Sequence, residues 1–90
     1  MTGRVGGGMN FTVAYSKQAE AELLTFPAKI QRQLAAKIAR LQRGFAGDIK
    51  ELQAADNVYR LRSGDFRILF EVEGFTVVIR TIRNRRDAYE

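Results

Sequence analysis

From residue 58 the chain alternates apolar and polar side chains over "VYRLRSGDFRILFEVEGFTVVIRTIR" (58–83). Successive side chains of an extended strand point to opposite faces, so a period of two marks half-buried β-structure. Gly64-Asp65 and Gly74-Phe75 divide the run into "VYRLRS" (58–63), "FRILFEVE" (66–73) and "TVVIRTIR" (76–83). Each link is short enough for a tight hairpin. A chain built this way is committed to an antiparallel meander, and one face of that meander has to be covered.

The cover comes from upstream. "NFTVAY" (10–15) alternates Phe11, Val13 and Tyr15 and predicts a short strand. Ser16 is a good N-cap for a helix to about Leu24, with Ala19, Leu23 and Phe26 inside. Pro27 suits the first turn of a second helix to about Arg43. Ile30, Leu34, Ile38 and Leu41 form its buried stripe, and Lys29, Arg32, Gln33, Lys37 and Arg40 face out. Gly44 and Gly47 stop it, and "IKEL" (49–52) reads as a short edge strand. The expected class is α+β: one N-terminal strand, two helices, then an antiparallel β-meander covered on one face by the helices.

Residues 1–8, "MTGRVGGG", carry four glycines and no periodicity. They read as a flexible lead-in to a single domain over residues 9–90, with Met9 as an alternative start. No Gly-Lys-Ser/Thr follows, so a phosphate-binding loop does not fit. No run reaches the length of a membrane span and no secretory signal precedes the domain, which points to a cytoplasmic protein without a membrane partner.

The chain has no cysteine and no histidine. That removes disulfides, thiolate zinc sites, the usual general base and the usual triad chemistry. Net charge is +5 and the pI about 10.1, which favours a polyanionic partner. Of eleven arginines, seven lie between Arg60 and Arg86, whereas all four lysines precede residue 51. Arginine grips phosphate in a planar, bidentate way, so the C-terminal third is the place to look.

Strand parity sorts these cations. With Gly64-Asp65 as a two-residue turn, Tyr59 lies opposite Phe70, Leu61 opposite Ile68 and Arg62 opposite Arg67. Tyr59, Leu61, Phe66, Ile68, Phe70 and Val72 then face the helices. Arg60, Arg62 and Arg67 project from the other face, joined by Arg80 from the next strand. Like charges directly across a strand pair are destabilising, so the cluster asks for an anion. Glu71 can pair with Arg80 but cannot neutralise the rest. Residues 83–90, "RNRRDAYE", come off the last strand and can bend back with Arg85, Arg86 and Tyr89. From the residues alone, a solvated cluster and a phosphodiester site with a phenol for base stacking both stay open. Asp65, Glu71 and Glu73 are the only carboxylates between Arg60 and Arg83, and their placement implies no metal and no cofactor.

"YSKQAEAEL", "KELQAADNVYRLRSGDFRILFEV" and "RNRRDAY", in that order, resemble the RelE/ParE toxin superfamily of bacterial and archaeal toxin–antitoxin systems. The resemblance spans most of the chain beyond Met9. Its most specific part is "YRLRSGDFRILFE", a short hairpin and "RRDAY". It implies a compact α+β toxin held by a cognate antitoxin in a higher-order toxin–antitoxin assembly. Members similar to RelE enter the ribosomal A site and cut mRNA there.

By resemblance, Arg60, Arg67, Arg85 and Tyr89 are the catalytic candidates; Arg62, also basic in relatives, and Arg80, Arg83 and Arg86, taken from the cation cluster and tail, are the RNA-binding ones. Arg60 matches a basic position on the first meander strand, Arg67 a phosphate-binding arginine on the next. Arg85 matches the arginine after the last strand and Tyr89 the tyrosine close behind. Two departures stand out: Val58 occupies a position often basic in relatives, and Asn84 one that is often histidine. The implied activity is a metal-independent endoribonuclease that uses the substrate's own 2′-hydroxyl as nucleophile. The competing expectations are a ParE-like inhibitor of DNA gyrase and a non-catalytic nucleic-acid-binding module.

Overall fold

The structure is a computed structural model that describes residues 10–45, 49–52 and 57–84. The flexible lead-in expected over residues 1–8, Met9, Gly47, Arg85, Arg86 and Tyr89 lie outside the described residues. The elements follow the expected order: β1 (Thr12–Tyr15), α1 (Lys17–Leu24), α2 (Ala28–Ala39), β2 (Ile49–Glu51), β3 (Val58–Ser63), β4 (Phe66–Glu73) and β5 (Thr76–Asn84). All five strands form one sheet in the order β1-β5-β4-β3-β2.

Both hairpin links are two-residue turns, with Ser63 paired to Phe66 and Glu73 to Thr76. Gly64 and Gly74 take φ of 59° and 60°, while Asp65 and Phe75 stay at negative φ. A positive φ at the first central residue alone is the type II′ pattern, whose twist suits a hairpin and favours glycine there. At the other end of the chain β1 adds to the sheet as a parallel edge beside β5, with Thr12 opposite Thr76 and Tyr15 opposite Ile79. The alternation in β1 predicts a strand but contains no information on which edge it joins.

The helices start and stop where local chemistry dictates. Ser16 caps α1, its hydroxyl accepting the Ala19 N–H at 3.0 Å. Pro27 stands just before α2 and is its N-cap rather than part of its first turn; its carbonyl accepts the Gln31 N–H at 2.9 Å. The α-helix ends at Ala39 and tightens into a 3-10 turn over Arg40–Arg43, which Gly44 terminates at φ 123°. The tighter turn brings Leu41 into the core with Leu34 and Ile38.

These three pack with Ala19 of α1 onto Leu61, Ile68, Phe70, Val77, Ile79 and Ile82 of the sheet. Phe45, after the 3-10 turn, adds an aromatic group against Phe11, Tyr59 and Phe70, at ring separations of 5.0, 5.4 and 5.4 Å. The helices thus cover one face of the sheet and leave the other uncovered. No helix among the described residues is long and apolar enough to cross a membrane.

One irregularity decides what lies on the uncovered face. Phe70 pairs with Ile79 but Leu69 pairs with Thr81, so Arg80 is the extra residue of a β-bulge. Unbroken alternation from the Gly74-Phe75 turn would set Arg80 opposite Leu69, expose Ile82 and turn Arg83 inward. The bulge reverses this: Ile82 is buried and Arg83 exposed. A one-residue shift exchanges the two faces of a strand, and the need to bury Ile82 after Val77 and Ile79 selects the bulged register.

Candidate functional site

Downstream of the bulge, Arg62 lies opposite Arg67 and Arg67 opposite Arg83. Three arginines therefore cross β3, β4 and β5 in one line. Neighbouring strands are about 4.8 Å apart, so the outer two backbones are roughly 10 Å apart and all three guanidinium groups can reach one anion. The next row on the same face holds Lys50, Arg60, Leu69 and Thr81. Arg60 sits two residues from Arg62 along β3, a rise of roughly 6.6 Å.

The surroundings of these cations differ. Arg67 is half-buried, and its Nη1 donates to the Gly64 and Phe66 carbonyls, both at 3.0 Å. The hairpin turn therefore holds the arginine that sits in the middle of the line. Arg60 is half-buried and Arg62 exposed, and neither side chain makes a hydrogen bond or ion pair among the described residues. Arg80 faces Glu71, as expected, at 3.9 Å.

Arg83 is tied to a residue that sequence reasoning passed over. Glu22, on α1, approaches the edge of β5 beyond the end of β1. Its Oε1 accepts the Ile82 N–H at 2.8 Å and the Thr81 hydroxyl at 2.8 Å. Its Oε2 accepts from the Gln18 amide at 3.2 Å and faces Arg83 Nε at 3.4 Å. Arg83 Nε also donates to Thr81 Oγ1 at 3.2 Å. Burial by itself would raise the Glu22 pKa; the Ile82 N–H, the Thr81 and Gln18 side chains and the Arg83 charge outweigh it and bring it below the usual glutamate value. Beside this group Glu22, Thr25, Phe26, Ile82, Arg83 and Asn84 line a cavity of about 350 Å³.

Of the catalytic candidates, Arg60 and Arg67 stand on the same uncovered face; Arg85 and Tyr89 lie outside the described residues, as does Arg86. Arg62, Arg80 and Arg83 share that face, with Arg83 more central than unbroken alternation would place it. The three-residue step from Ile79 to Ile82 is the sequence signal for this register. Glu22 had no such signal, because its partners are 59 to 61 positions away. Among the described residues no three Asp or Glu side chains gather as a metal site needs. Three guanidinium groups in one line across the strands suit an anion, and the chain has no histidine to move a proton.

Residues 13–89 match the family described as the ParE toxin of the type II toxin–antitoxin system parDE. Toxin RelE3 of Methanocaldococcus jannaschii is 40% identical over 43 residues, 48% of this chain and 49% of that protein. The match thus spans about half the length of that curated relative. The RelB-RelE antitoxin-toxin complex from Methanococcus jannaschii contains a chain of 28% identity and TM-score 0.72, with 84% of this chain and 94% of that one covered. The archaeal RelE-RelB complex from Pyrococcus horikoshii has the same fold at 22% identity and TM-score 0.73, covering 86% and 97%. The family match runs from the second residue of β1 through all three strands that carry the arginine face, and the chain belongs to the RelE/ParE superfamily of type II toxins.

Proposed function

We propose that this protein inhibits translation as a metal-independent endoribonuclease that cuts mRNA in the ribosomal A site and is held inactive by a cognate antitoxin. The observation that carries this reading is the line Arg62–Arg67–Arg83 on the uncovered face, with Arg60 beside it and no carboxylate within the line. Opposed cations of this kind destabilise the sheet unless an anion joins them, and an RNA backbone is such an anion. The likeness to chains solved with their antitoxins supports the partner.

RNA brings its own nucleophile, the 2′-hydroxyl next to each phosphate. The enzyme has to align that oxygen and stabilise the pentavalent dianion. Arg67 and Arg85 clamp the scissile phosphate, with Arg62, Arg80, Arg83 and Arg86 along the flanking strand of RNA. Arg60 stabilises charge near the attacking oxygen, because a guanidinium holds its proton and is a poor base. Tyr89 stacks on a base or passes a proton. The products are a 2′,3′-cyclic phosphate and a 5′-hydroxyl. A site with so little acid and base power depends on the ribosome to present the mRNA already oriented.

The ParE description of the matching family favours a second reading, inhibition of DNA gyrase on the same fold. Induction of the protein alone in a bacterium, with mRNA ends mapped by primer extension, separates the two. Cuts within in-frame codons that disappear in Arg67→Ala and Arg85→Ala are expected, with reduced cutting in Tyr89→Phe. Intact mRNA accompanied by DNA damage would replace the ribonuclease with the gyrase reading.

A further inference from the structure

We infer that Glu22 is a positioning residue for the anion site, holding the Arg83 guanidinium in line with Arg67 and Arg62 before any phosphate arrives. The inference rests on the phosphodiester reading above.

The argument begins with the edge of the sheet. β1 ends at Tyr15, opposite Ile79, so among the described residues the rest of β5 has no strand on that side. The Ser16 hydroxyl donates to the Arg80 carbonyl at 2.9 Å, and Glu22 takes the Ile82 N–H at 2.8 Å. α1 therefore satisfies the backbone of β5 where the neighbouring strand stops, on both sides of the bulge residue's successor. The carboxylate is fixed by the Ile82 N–H, the Thr81 hydroxyl and the Gln18 amide, none of which needs Arg83.

An ordinary surface ion pair gains little because two long side chains must be ordered together. Here one partner is ordered already, and only the arginine remains to be fixed. Arg83 Nε rests between Glu22 Oε2 and Thr81 Oγ1, at 3.4 and 3.2 Å. Among the described residues its Nη1 and Nη2 make no hydrogen bond. A guanidinium can donate to a carboxylate on one edge and to a phosphate on the other, because its donors lie in one plane. Arg67 is held by the Gly64 and Phe66 carbonyls, so two of the three arginines in the line are backed by acceptors. Such preorganisation is what a site needs when charge stabilisation is its main contribution.

The test compares wild type with Glu22→Gln, which keeps an oxygen for the Ile82 N–H and removes the charge facing Arg83. Single-turnover cleavage on mRNA-programmed ribosomes is expected to slow about tenfold, the order of one charge-assisted hydrogen bond. In an Arg83→Ala background Glu22→Gln should add less than about twofold, since the residue acts through Arg83. Equal slowing in both backgrounds, or faster cleavage in Glu22→Gln, overturns the inference. Thermal melts of each variant separate loss of fold from loss of positioning.

A readout independent of cleavage is the Arg83 Nε–H resonance, assigned through Arg83→Lys. It should be visible in the free wild-type protein, shift on titration with a 2′-O-methyl oligoribonucleotide, and broaden in Glu22→Gln. If wild type cuts no mRNA while this pattern holds, the nuclease reading falls and the role of Glu22 stands. A resonance that is identical in Glu22→Gln overturns the role of Glu22 alone.

Discussion

Glu71 and Glu22 each face an arginine of β5, Arg80 at the bulge and Arg83 beyond it, and they hold those arginines differently. Glu71 lies on β4, 3.9 Å from Arg80, with 33% of its side chain and 54% of the arginine exposed. Glu22 is 22% exposed and accepts at 2.8 Å from the Ile82 N–H and the Thr81 hydroxyl. Both are carboxylate–guanidinium pairs on paper. The difference lies in what else fixes the carboxylate, and it separates a counter-ion from a structural clip. A count of charges on this face would miss it.

The largest effect should come from Ile82, whose burial selects the bulged register. Ile82→Ala empties a buried position opposite Ile68 and weakens the condition that turns Arg83 out. A loss of about 2–5 kcal/mol is expected, enough to unfold much of a marginal domain. Urea denaturation followed by circular dichroism measures this. A variant as stable as wild type would mean that burial of Ile82 does not set the register.

Next in size is Glu22→Ala. It strands the Ile82 N–H and the Thr81 hydroxyl at a partly covered edge, for which about 1–3 kcal/mol is expected. Glu22→Gln should lose less, because an amide oxygen still accepts from Ile82. Should the two variants lose equal stability, the clip works through charge alone, and the contrast with Glu71 narrows.

The same contrast marks where the sequence was legible. β3 and β4 span the expected residues, and the pairs Tyr59–Phe70, Leu61–Ile68 and Arg62–Arg67 follow from two-residue turns and a period of two. Local rules of this kind also give the Ser16 cap, the stop at Gly44 and the Glu71–Arg80 pair. The position of Arg83 needed a non-local condition, burial of Ile82, and only the Ile79-to-Ile82 step hints at it. Glu22 was illegible for a stronger reason. On α1 it reads as one more polar residue, and its role exists only once β5 runs past the end of β1. Partner choice across 60 positions is a property of topology, which no window of sequence contains.

Acid titration sharpens the comparison further. The folded pKa of Glu22 lies below its ordinary value, through the Ile82 N–H, its side-chain partners and Arg83 acting against burial. In the unfolded chain the group returns to the usual value and binds its proton at higher pH. The stabilisation is therefore complete above the usual glutamate pKa and is lost as pH falls through the lower folded value. Melting temperature of wild type should drop more steeply than that of Glu22→Gln between roughly pH 5 and 3, a window set by ordinary carboxylate titration. Parallel curves would remove Glu22 from the acid-sensitive groups.

Glu71→Gln should have the smallest effect on stability, under about 0.5 kcal/mol, because an exposed pair near 4 Å is screened by solvent and salt. Its consequence lies in binding. Arg80 loses the carboxylate it faces among the described residues and becomes available to the backbone of a bound single strand. Each added phosphate contact steepens the fall of log K with log salt by about 0.7 for single-stranded nucleic acid. Titration of a 2′-O-methyl oligoribonucleotide at several salt concentrations reads that slope. In Glu71→Gln the slope should increase by about one contact, whereas in Glu22→Gln, where the affected arginine loses its order rather than a competitor, it should not. A common slope for the two variants would show that both carboxylates act only as counter-ions, and the distinction between them would fail.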